Sequence, residues 1–414
     1  MTQLRPRLRL LYLSNARLPS VMAHGLQIVQ NCEAFAENGA DVTLWHPRHI
    51  VPEAERHLNP DLWEYYGVER NFHVRRLLCL DLVWLIKRDT VLRRVLFYLQ
   101  FGTYSLIVMI AVLFTHRDIY YSRDPLTLLL VGLVKPHQKL IYEAHRLNQP
   151  GMGIWLQRQV LRRCALTVAI TPPLRDKLEQ LQANSPVKSQ VIVAHDGIRR
   201  ARFERLPVLA DARHTIGWLS EAFIVGYVGR LKTLGMDKGL DTLIQALALI
   251  PEHKIALAIV GGPEDMVAGY RDLWLTLGLP ETQFLYAGQV DSGRVPLYLS
   301  AMDVCAMPHP WTEQFAYYTS PIKLFEYMAS GRALVASDLP AYADVVMDDE
   351  TALLVPPGNA QALADALWRL CQDAGLRSRL AQAARERVMM DYTWEARTHS
   401  ILQCFQDQWL NEAV

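Results

Sequence analysis

The chain of 414 residues is predicted to be an α/β protein built from two doubly wound, Rossmann-like domains. Short apolar runs alternate with segments of helical periodicity, which is typical of parallel sheets covered by helices. The alternation stops in a charged, irregular stretch at 199–220 and then starts again, so this stretch is the candidate linker. A chain of this length is also long enough for about two domains.

The first half contains six apolar runs that predict strands. They lie at 8–13, 41–45, 118–121, 139–142, 166–170 and 191–194. The segment 26–38 has helical spacing and stops at Gly39, a residue suited to the position after a helix. Residues 1–207 are therefore predicted to form the N-terminal domain.

The second half repeats the pattern. Strands are predicted at 223–228, 255–260, 283–286, 304–307, 333–336 and 352–355, and helices at 239–249, 294–302, 321–329 and 360–371. Residues 208–393 are predicted to form the C-terminal domain, and a helix at about 394–414 to pack back on the first domain. Ligands of doubly wound sheets bind at the carboxyl ends of the strands, so a cleft between two facing domains is the expected site.

The composition excludes several classes of protein. The 43 basic and 42 acidic residues leave a net charge of +1, so no basic field indicates nucleic acid as a partner. Hydrophobic residues make up 51% of the chain, which argues against disorder. None of the six cysteines has CxxC spacing, so a reducing compartment is indicated and a zinc site is not. The basic N-terminus lacks the pattern of a signal peptide, and a cytoplasmic protein is expected.

The segment 95–114 is almost entirely apolar and about long enough to span a bilayer. Four basic residues precede it: Lys87, Arg88, Arg93 and Arg94. Three interpretations remain open from the sequence. The segment is a buried core helix, a helix lying on an anionic membrane surface, or a spanning helix.

Two basic residues follow the first predicted strand of the C-terminal domain. Arg230 comes directly after Gly229, and Lys238 stands directly before Gly239 at the start of a predicted helix. Glycines allow the backbone to approach a ligand closely, and the two cations are suited to a phosphate.

A second motif, Ser-Pro-Ile-Lys-Leu-Phe-Glu-Tyr-Met-Ala at 320–329, is predicted to begin a helix. Ser320 suits the N-cap and Pro321 the first helical position. Free backbone N–H groups at a helix N-terminus attract phosphate. Glu326 stands in an apolar run, where a buried carboxylate needs a polar partner, and it could accept hydrogen bonds from ribose hydroxyls. Together the two motifs predict a nucleotide-sugar site.

The series Gly-Arg…Lys-Gly, then Ser-Pro-x-Lys-x-Phe-Glu-Tyr-Met-Ala-x-Gly…Ala-Ser-Asp, resembles the glycosyltransferase group 1 family of retaining GT-B transferases. The likeness is strongest at 225–357 and extends weakly over nearly the whole chain. His-Asp-Gly-Ile…Phe at 195–203 looks like the family's element that closes the first domain. Residues 18–25 match the position of its glycine-rich donor loop, and Glu-Ala-His at 143–145 resembles its first-domain histidine.

The resemblance implies a role for each matching residue in the second domain. Arg230 and Lys238 would bind the donor diphosphate, assisted by Ser320, Gly229 and the amides near Ile322 and Lys323, while Glu326 would hold the ribose. The strand end with Ala287, Gly288 and Val290 would face the base.

In the first domain, the resemblance places Gly25 in the donor loop and His145 over the transferred sugar. One position departs from the family. Many members have two glutamates separated by seven residues, and Tyr318 stands where the first would be, against the donor sugar. Glu313 is near enough in sequence to substitute for it, and the donor sugar is left open.

The predicted function is that of a retaining, metal-independent hexosyltransferase. It moves a sugar from a nucleotide diphosphate sugar, its co-substrate, to a glycan or lipid-linked glycan in cell-surface polysaccharide or glycolipid synthesis. No Asp-x-Asp motif lies near a strand end, and cations with a helix end would replace a metal ion. Association with an anionic membrane surface at the inner face is a further expectation. Two alternatives remain: a sugar-nucleotide epimerase of the same fold, and a non-catalytic nucleotide-binding scaffold at the membrane.

Overall fold

The computed structural model describes residues 7–20, 22–49, 61–86, 90–218, 221–233, 235–250 and 255–412. The chain divides into two compact units, one formed by Met1–His195 with Trp394–Val414 and the other by Asp196–Thr393. The division falls earlier than the predicted boundary at residue 207. The reason is that Ile198 and Phe203 pack in the hydrophobic core of the second unit.

Unit 1 contains a seven-stranded parallel sheet of order β3-β2-β1-β4-β5-β6-β7. Its strands are β1 (Arg9–Leu13), β2 (Asp41–Pro47), β3 (His73–Leu77), β4 (Ile119–Ser122), β5 (Leu140–Ala144), β6 (Leu166–Ala169) and β7 (Gln190–Val193). Strand β3 was not predicted. It lies at the edge of the sheet and exposes most of its side chains, so the apolar signal of a buried strand is missing.

The helices of unit 1 come from both ends of the chain. They are α1 (Ala23–Glu37), α2 (Leu62–Tyr66), α3 (Val91–Leu113), α4 (Pro125–Val131), α5 (Met152–Leu161), α6 (Pro172–Gln182) and, from the C-terminal segment, α15 (Trp394–Glu412). Ile401, Leu402 and Phe405 of α15 are buried in the same core as Leu10 and Tyr12 of β1. The last helix is therefore part of the first unit.

Unit 2 contains a six-stranded parallel sheet of order β12-β11-β8-β13-β14-β15, with a small antiparallel pair, β9 and β10. Its strands are β8 (Phe223–Val228), β9 (Lys232–Thr233), β10 (Met236–Asp237), β11 (Ile255–Val260), β12 (Phe284–Tyr286), β13 (Val304–Met307), β14 (Ala333–Ser337) and β15 (Leu353–Val355). Its helices are α7 (Leu209–Ile216), α8 (Leu240–Ala248), α9 (Glu264–Thr276), α10 (Val295–Ser300), α11 (Glu313–Tyr317), α12 (Ile322–Ala329), α13 (Ala360–Gln372) and α14 (Ala374–Asp391).

The strand order reverses once in each sheet. In unit 1 the change lies between β1 and β4, and in unit 2 it lies between β8 and β13. The connections from two such strands leave toward opposite faces of the sheet, so a crevice opens at their carboxyl ends. The loops after these strands are therefore the places where a ligand site is expected in each unit.

Helix α3 turns an apolar face to solvent and a partly polar face to unit 1. Its buried residues include Gln100 and Tyr104. Gln100 Nε2 donates to Asn15 Oδ1 at 2.8 Å, and Tyr104 Oη donates to the Trp45 carbonyl at 2.9 Å. The large exposed side chains on α3 and just after it are Val91, Leu92, Val95, Phe97, Tyr98, Leu99, Leu106, Ile110, Leu113 and Phe114.

Within the described part of the chain, α3 is the one helix long and apolar enough to cross a membrane, a test that core helices of soluble proteins also pass. Only 28% of its apolar window is buried. The interpretation as a buried core helix is therefore wrong for most of its surface.

Candidate active site

Helix α12 is joined to the end of strand β8 by one side chain. Tyr327 Oη accepts from Val228 N at 2.8 Å and donates to Val228 O at 2.9 Å. One turn earlier, Lys323 reaches the loop after β8, where its Nζ donates to Tyr227 Oη at 2.7 Å and to Arg230 O at 3.1 Å. These bonds bring the two predicted motifs together.

Three neighbouring strands of unit 2 are followed by glycines with positive φ. Gly229 follows β8 with φ +137°, Gly261 follows β11 with φ +134°, and Gly288 lies after β12 with φ +68°. A Cβ on Gly229 would overlap with Lys323, and one on Gly261 would overlap with the Gly229 carbonyl. The ends of β8 and β11 therefore pack more closely than any side chain would allow. Gly261 was missed from the sequence, although a glycine after a predicted strand was a usable signal.

Two of the site's cations are held away from water. Only 6% of Lys238 is exposed, and its Nζ lies 4.1 Å from the centre of the Phe315 ring. Burial lowers the pKa of Lys238 to about 8, although Asp237 opposes this change. Burial and then the charge of Lys238 hold the pKa of Lys323 well below its usual range.

Arg230, on the exposed end of the loop after β8, adds to the same repulsion on Lys323. We call Arg230, Lys238 and Lys323 the cationic cluster. The charges of Lys238 and Arg230 lower the pKa of Lys323, and such repulsion is unfavourable in the free protein. An anion bound among them would relieve that cost.

The loops that follow β8 and β13 meet at Gly239. This residue caps α8 with φ +79°, and a Cβ there would overlap with the Pro308 carbonyl.

His309, the residue after Pro308, is 1% exposed and stacks on Phe315 with ring centres 4.7 Å apart. Among the described residues, no hydrogen-bond partner of either ring nitrogen is found. Burial, followed by Lys238 and Lys323, holds the pKa of His309 well below its usual range, so the ring is neutral. Sequence reasoning missed His309, because its neighbours are distant in the chain.

The predicted start of α12 needs a correction. The helix begins at Ile322, and Pro321 is its N-cap with an extended backbone (φ −82°, ψ 114°). Ser320 therefore lies outside the helix, and its Oγ accepts from the Asp196 amide at 2.9 Å. The serine anchors the segment that opens unit 2, and no side-chain cap is found for α12.

Glu326 lies in α12, partly buried. Burial raises the pKa of its carboxyl group, while Arg202 and Lys323 oppose the change. Of these two cations, Arg202 has the larger effect on the Glu326 carboxylate, which needs a compensating charge in an apolar run. It lies in a turn of 3₁₀ helix at Arg200–Arg202, far away in sequence, and was not predicted.

The remaining predicted residues of unit 2 have definite partners. Tyr318 Oη donates to Glu313 Oε1 at 3.1 Å, so the two candidates for one sugar contact form a pair. The Ala287 amide donates to the Ile259 carbonyl at 3.1 Å, and the Gly288 carbonyl accepts from the Gly261 amide at 2.7 Å.

Val290 is partly buried and packs against the core of unit 2. The strand end that was predicted to face the base is therefore a rigid continuation of the sheet edge.

In unit 1, the two predicted residues follow β1 and β5. Gly25 lies in the first turn of α1, and a Cβ there would overlap with the hydroxyl of Tyr66, so glycine is required. His145 follows β5, and its Nε2 lies 2.5 Å from Glu143 Oε1. Glu143 is fully buried and contacts several basic groups that sequence reasoning did not assign, among them Arg123 and Arg397.

Among the described residues, no three His, Cys, Asp or Glu side chains are grouped in a way that could hold a metal ion.

Comparison with known proteins gives three kinds of match. Residues 222–373 match the sequence model of the family described as Glycosyl transferases group 1. A phosphatidyl-myo-inositol mannosyltransferase of Mycobacterium leprae is 34% identical over 172 residues, covering 41% of this chain and 43% of that protein. A D-inositol 3-phosphate glycosyltransferase of Salinispora arenicola is 28% identical over 232 residues, covering 52% of this chain and 49% of that protein. The chain thus spans about half the length of the curated relatives that it matches.

Solved structures share the fold over the whole chain. The Anabaena protein Alr3699/HepE, crystallised with UDP, has a TM-score of 0.68 at 18% identity and covers 96% of this chain and 100% of its own. A glycosyltransferase from Rickettsia africae has a TM-score of 0.72 at 14% identity and covers 97% of this chain and 99% of its own. With two parallel-sheet units of seven and six strands, the protein has the GT-B fold.

Proposed function

The chain belongs to the glycosyl transferases group 1 family, and on that premise we propose that it is a retaining glycosyltransferase with a nucleotide diphosphate sugar as donor. The observation that carries the proposal is the cationic cluster. Its three side chains gather at the carboxyl ends of parallel strands. Burial lowers the pKa of both lysines, and the charges of Lys238 and Arg230 lower the pKa of Lys323 further. The relatives named as mannosyl- and glycosyltransferases, and the UDP bound by a protein of the same fold, support this choice of ligand.

The chemistry follows from where charge develops. When the bond between the sugar and the diphosphate breaks, negative charge grows on the leaving oxygen. Lys238 and Lys323 are already partly dehydrated and Arg230 lies beside them, so together they stabilise that charge more strongly than water would. In the retaining route that we propose, the acceptor hydroxyl approaches on the face that the diphosphate leaves. A phosphate oxygen of the leaving group then takes the hydroxyl proton.

The other residues are assigned to binding the donor. Glu326 accepts bonds from the ribose hydroxyls, and the strand end with Ala287, Gly288 and Val290 faces the base. Gly229, Ser320, Ile322 and Lys323 surround the diphosphate. In unit 1, Gly25 belongs to the donor loop and His145 contacts the transferred sugar, while Tyr318 occupies the position of the family's first glutamate.

The reaction is proposed to need no divalent ion, because the cationic cluster supplies the charge that a metal would otherwise bring to the diphosphate. Transfer should therefore continue in the presence of EDTA. A loss of activity in EDTA that added Mg²⁺ or Mn²⁺ restores would contradict this part of the proposal.

The acceptor is proposed to be a glycan or lipid-linked glycan that the enzyme meets at the cytoplasmic face of a membrane. Support comes from helix α3, which buries Gln100 and Tyr104 and exposes large apolar side chains. Exposed apolar area of this extent is unfavourable in water and is covered in the working state of a protein. At about 1.5 Å per residue, the 23 residues of α3 extend over roughly 35 Å.

The charge of α3 favours an anionic lipid surface as the partner that covers its exposed apolar face. No acidic residue occurs between Thr90 and Thr115, and Arg93 and Arg94 lie in the first turn of the helix. Aromatic side chains, which prefer the interface of a bilayer, are exposed at Trp84 and Phe114. Each basic residue near such a surface contributes about 1 kcal/mol.

Vesicle sedimentation tests the membrane proposal. The protein should sediment with vesicles that contain phosphatidylglycerol at low salt, and less with vesicles of phosphatidylcholine alone. Leu106→Glu should reduce sedimentation, whereas Leu249→Glu, an exposed leucine that ends α8 in unit 2, should not. A dimer in solution that Leu106→Glu dissociates would assign the face to a second copy. Resistance to carbonate extraction would indicate a spanning helix, and either result would overturn the proposal.

A panel of nucleotide sugars tests the function itself. Slow release of the nucleotide diphosphate from one of them, accelerated by an acceptor, is expected. An altered free sugar produced without an acceptor would indicate the epimerase alternative. Nucleotide binding with neither hydrolysis nor transfer would indicate the scaffold.

A further inference from the structure

The carboxylate of Glu143 is the meeting point of four elements of unit 1. Its Oε1 lies 2.8 Å from Arg123 Nη2 and 3.2 Å from Arg397 Nη2, as well as 2.5 Å from His145 Nε2. Its Oε2 accepts from Asn31 Nδ2 at 3.2 Å and from the hydroxyl of Tyr121. The partners come from β4 and the residue after it, from α1, from α15 and from the end of β5.

These partners keep Glu143 ionised. Burial alone would raise the pKa of Glu143, but Arg123, Arg397 and His145 together hold it well below its usual range. An ionised carboxylate has no proton to donate and can only accept hydrogen bonds. Every group that hydrogen-bonds to Glu143 must therefore direct a hydrogen toward it.

This requirement decides the state of His145. Its Nε2 faces the carboxylate, so Nε2 carries the proton, and in the neutral ring Nδ1 is left as an acceptor. The His145 side chain is 28% exposed, so this second nitrogen belongs to a ring that a substrate can reach. The same logic orients a histidine by a carboxylate in catalytic triads.

We propose that Glu143 and Arg397 are positioning residues that hold His145 with Nε2 protonated, so that Nδ1 accepts a hydrogen bond from a substrate hydroxyl. The proposal rests on the proposed glycosyltransferase function for the identity of the substrate, since sugars and glycan acceptors both carry hydroxyl donors. It gives the C-terminal helix a role in the site. Arg397 is 4% exposed and also donates to Asn31 Oδ1 at 2.9 Å, so α15 carries part of the support for the histidine.

The protonation state can be measured without any substrate. In protein labelled with ¹⁵N-histidine, long-range ¹H–¹⁵N spectra near pH 7.5 should show Nδ1 of His145 as the unprotonated nitrogen and Nε2 as the protonated one. A His145→Gln sample assigns the signals among the 13 histidines. A protonated Nδ1 in the wild-type protein, whether Nε2 is bare or also protonated, would overturn the proposal, whatever the enzyme's activity.

Variants test the positioning roles of Glu143 and Arg397. Glu143→Gln offers an amide that both donates and accepts, so the ring should populate both tautomers. Arg397→Met should also relax the preference, and Arg397→Lys should restore it in part. Arg117→Met is the control, because it removes an arginine of unit 1 from an ion pair that does not involve Glu143, the pair with Asp41 at 3.2 Å. If the tautomer of Arg397→Met equals that of Arg117→Met, Arg397 has no positioning role.

Kinetics separate the two sources of the hydroxyl. With the nucleotide sugar that the panel identifies, Glu143→Gln should lower turnover by about 10–100-fold, as losses of orienting partners do at metal-bound histidines. An equal loss in donor hydrolysis and in transfer assigns the hydroxyl to the donor sugar. A loss confined to transfer assigns it to the acceptor. If Glu143→Gln changes neither rate while the spectra show a mixed tautomer, Nδ1 does not contact a substrate and the proposal is wrong.

Discussion

Replacing Lys238 by methionine should make the protein more stable and the enzyme far slower. Methionine keeps most of the stem that packs beside Phe315 and removes the charge. Burial lowers the pKa of Lys238 from 10.5 to about 8. At about 1.4 kcal/mol per pKa unit, this difference corresponds to roughly 3 kcal/mol by which the charged form is disfavoured in the folded protein. The cation–π contact with Phe315 offsets about 1 kcal/mol. The free energy of unfolding should therefore rise by about 2 kcal/mol at pH 7.

The sign of the pH dependence follows from the lowered pKa. Below pH 8, Lys238 is charged in the folded and the unfolded protein, and the full penalty acts on the wild type. As the pH rises from 8 toward 10.5, the folded protein loses this proton first and the penalty shrinks. The advantage of Lys238→Met should therefore be largest at pH 7 and small near pH 10. Urea unfolding at the two pH values measures it.

Catalysis should change in the opposite direction. A charge-assisted contact that strengthens in the transition state is worth about 3–4 kcal/mol, so transfer should fall by roughly two to three decades. Lys232→Met, at an exposed position of β9, is the control for both measurements. If Lys238→Met destabilises the protein at pH 7, the lysine is not the unfavourable buried cation inferred here. If it retains near-normal turnover, the phosphate site has been assigned to the wrong residues.

Three further outcomes are expected. Glu326→Gln should weaken donor affinity more than turnover at saturation, because the ribose does not change charge in the reaction; steady-state kinetics with a larger effect on kcat than on KM would contradict this. Gly229→Ala should abolish nucleotide binding by displacing Lys323, whereas Gly235→Ala, with open space around its Cβ, should cost only about 1 kcal/mol of stability; calorimetric titration with UDP compares the two. Burial lowers the pKa of His46 to about 3, so the unfolded state takes up a proton below pH 6.5 and the folded state does not. Stability should thus fall by about 3 kcal/mol between pH 7 and pH 4.5, and His46→Phe should show less of this loss in urea unfolding.

The repeat of strand and helix could be read from the sequence, because burial on both faces of a parallel sheet leaves continuous apolar runs. The runs at 223–228 and 255–260 became β8 and β11 with unchanged bounds. Strand β3 could not be read, since an edge strand needs few apolar residues. The start of α12 was misplaced because Ser320, a good N-cap by type, bonds to the distant Asp196 amide instead.

Part of the candidate site could likewise be predicted from the sequence, and part of it could not. Gly229, Arg230 and Lys238 lie in the short stretch 229–238, so the sequence alone shows two cations beside glycines. Burial lowers the pKa of Lys238 and leaves its Nζ over the Phe315 ring, and its charge lowers the pKa of Lys323 on another element. The resemblance implied that Lys238 and Lys323 both lie near the diphosphate, but no pattern in the chain predicts that the charge of one lowers the pKa of the other.

The support of His145 depended entirely on tertiary structure. The motif at 143–145 resembles the family's first-domain histidine, but nothing in the sequence indicated which residues hold that histidine in place. The partner Arg397 lies in the last helix, which folds back to insert its guanidinium beneath β5. Local propensity and periodicity predict which segments are helices and which residues face a core. One buried carboxylate meets two arginines from separate segments only when the sheet and both ends of the chain pack together. Charge pairs between residues so distant in sequence leave no local pattern, so the sequence does not predict them.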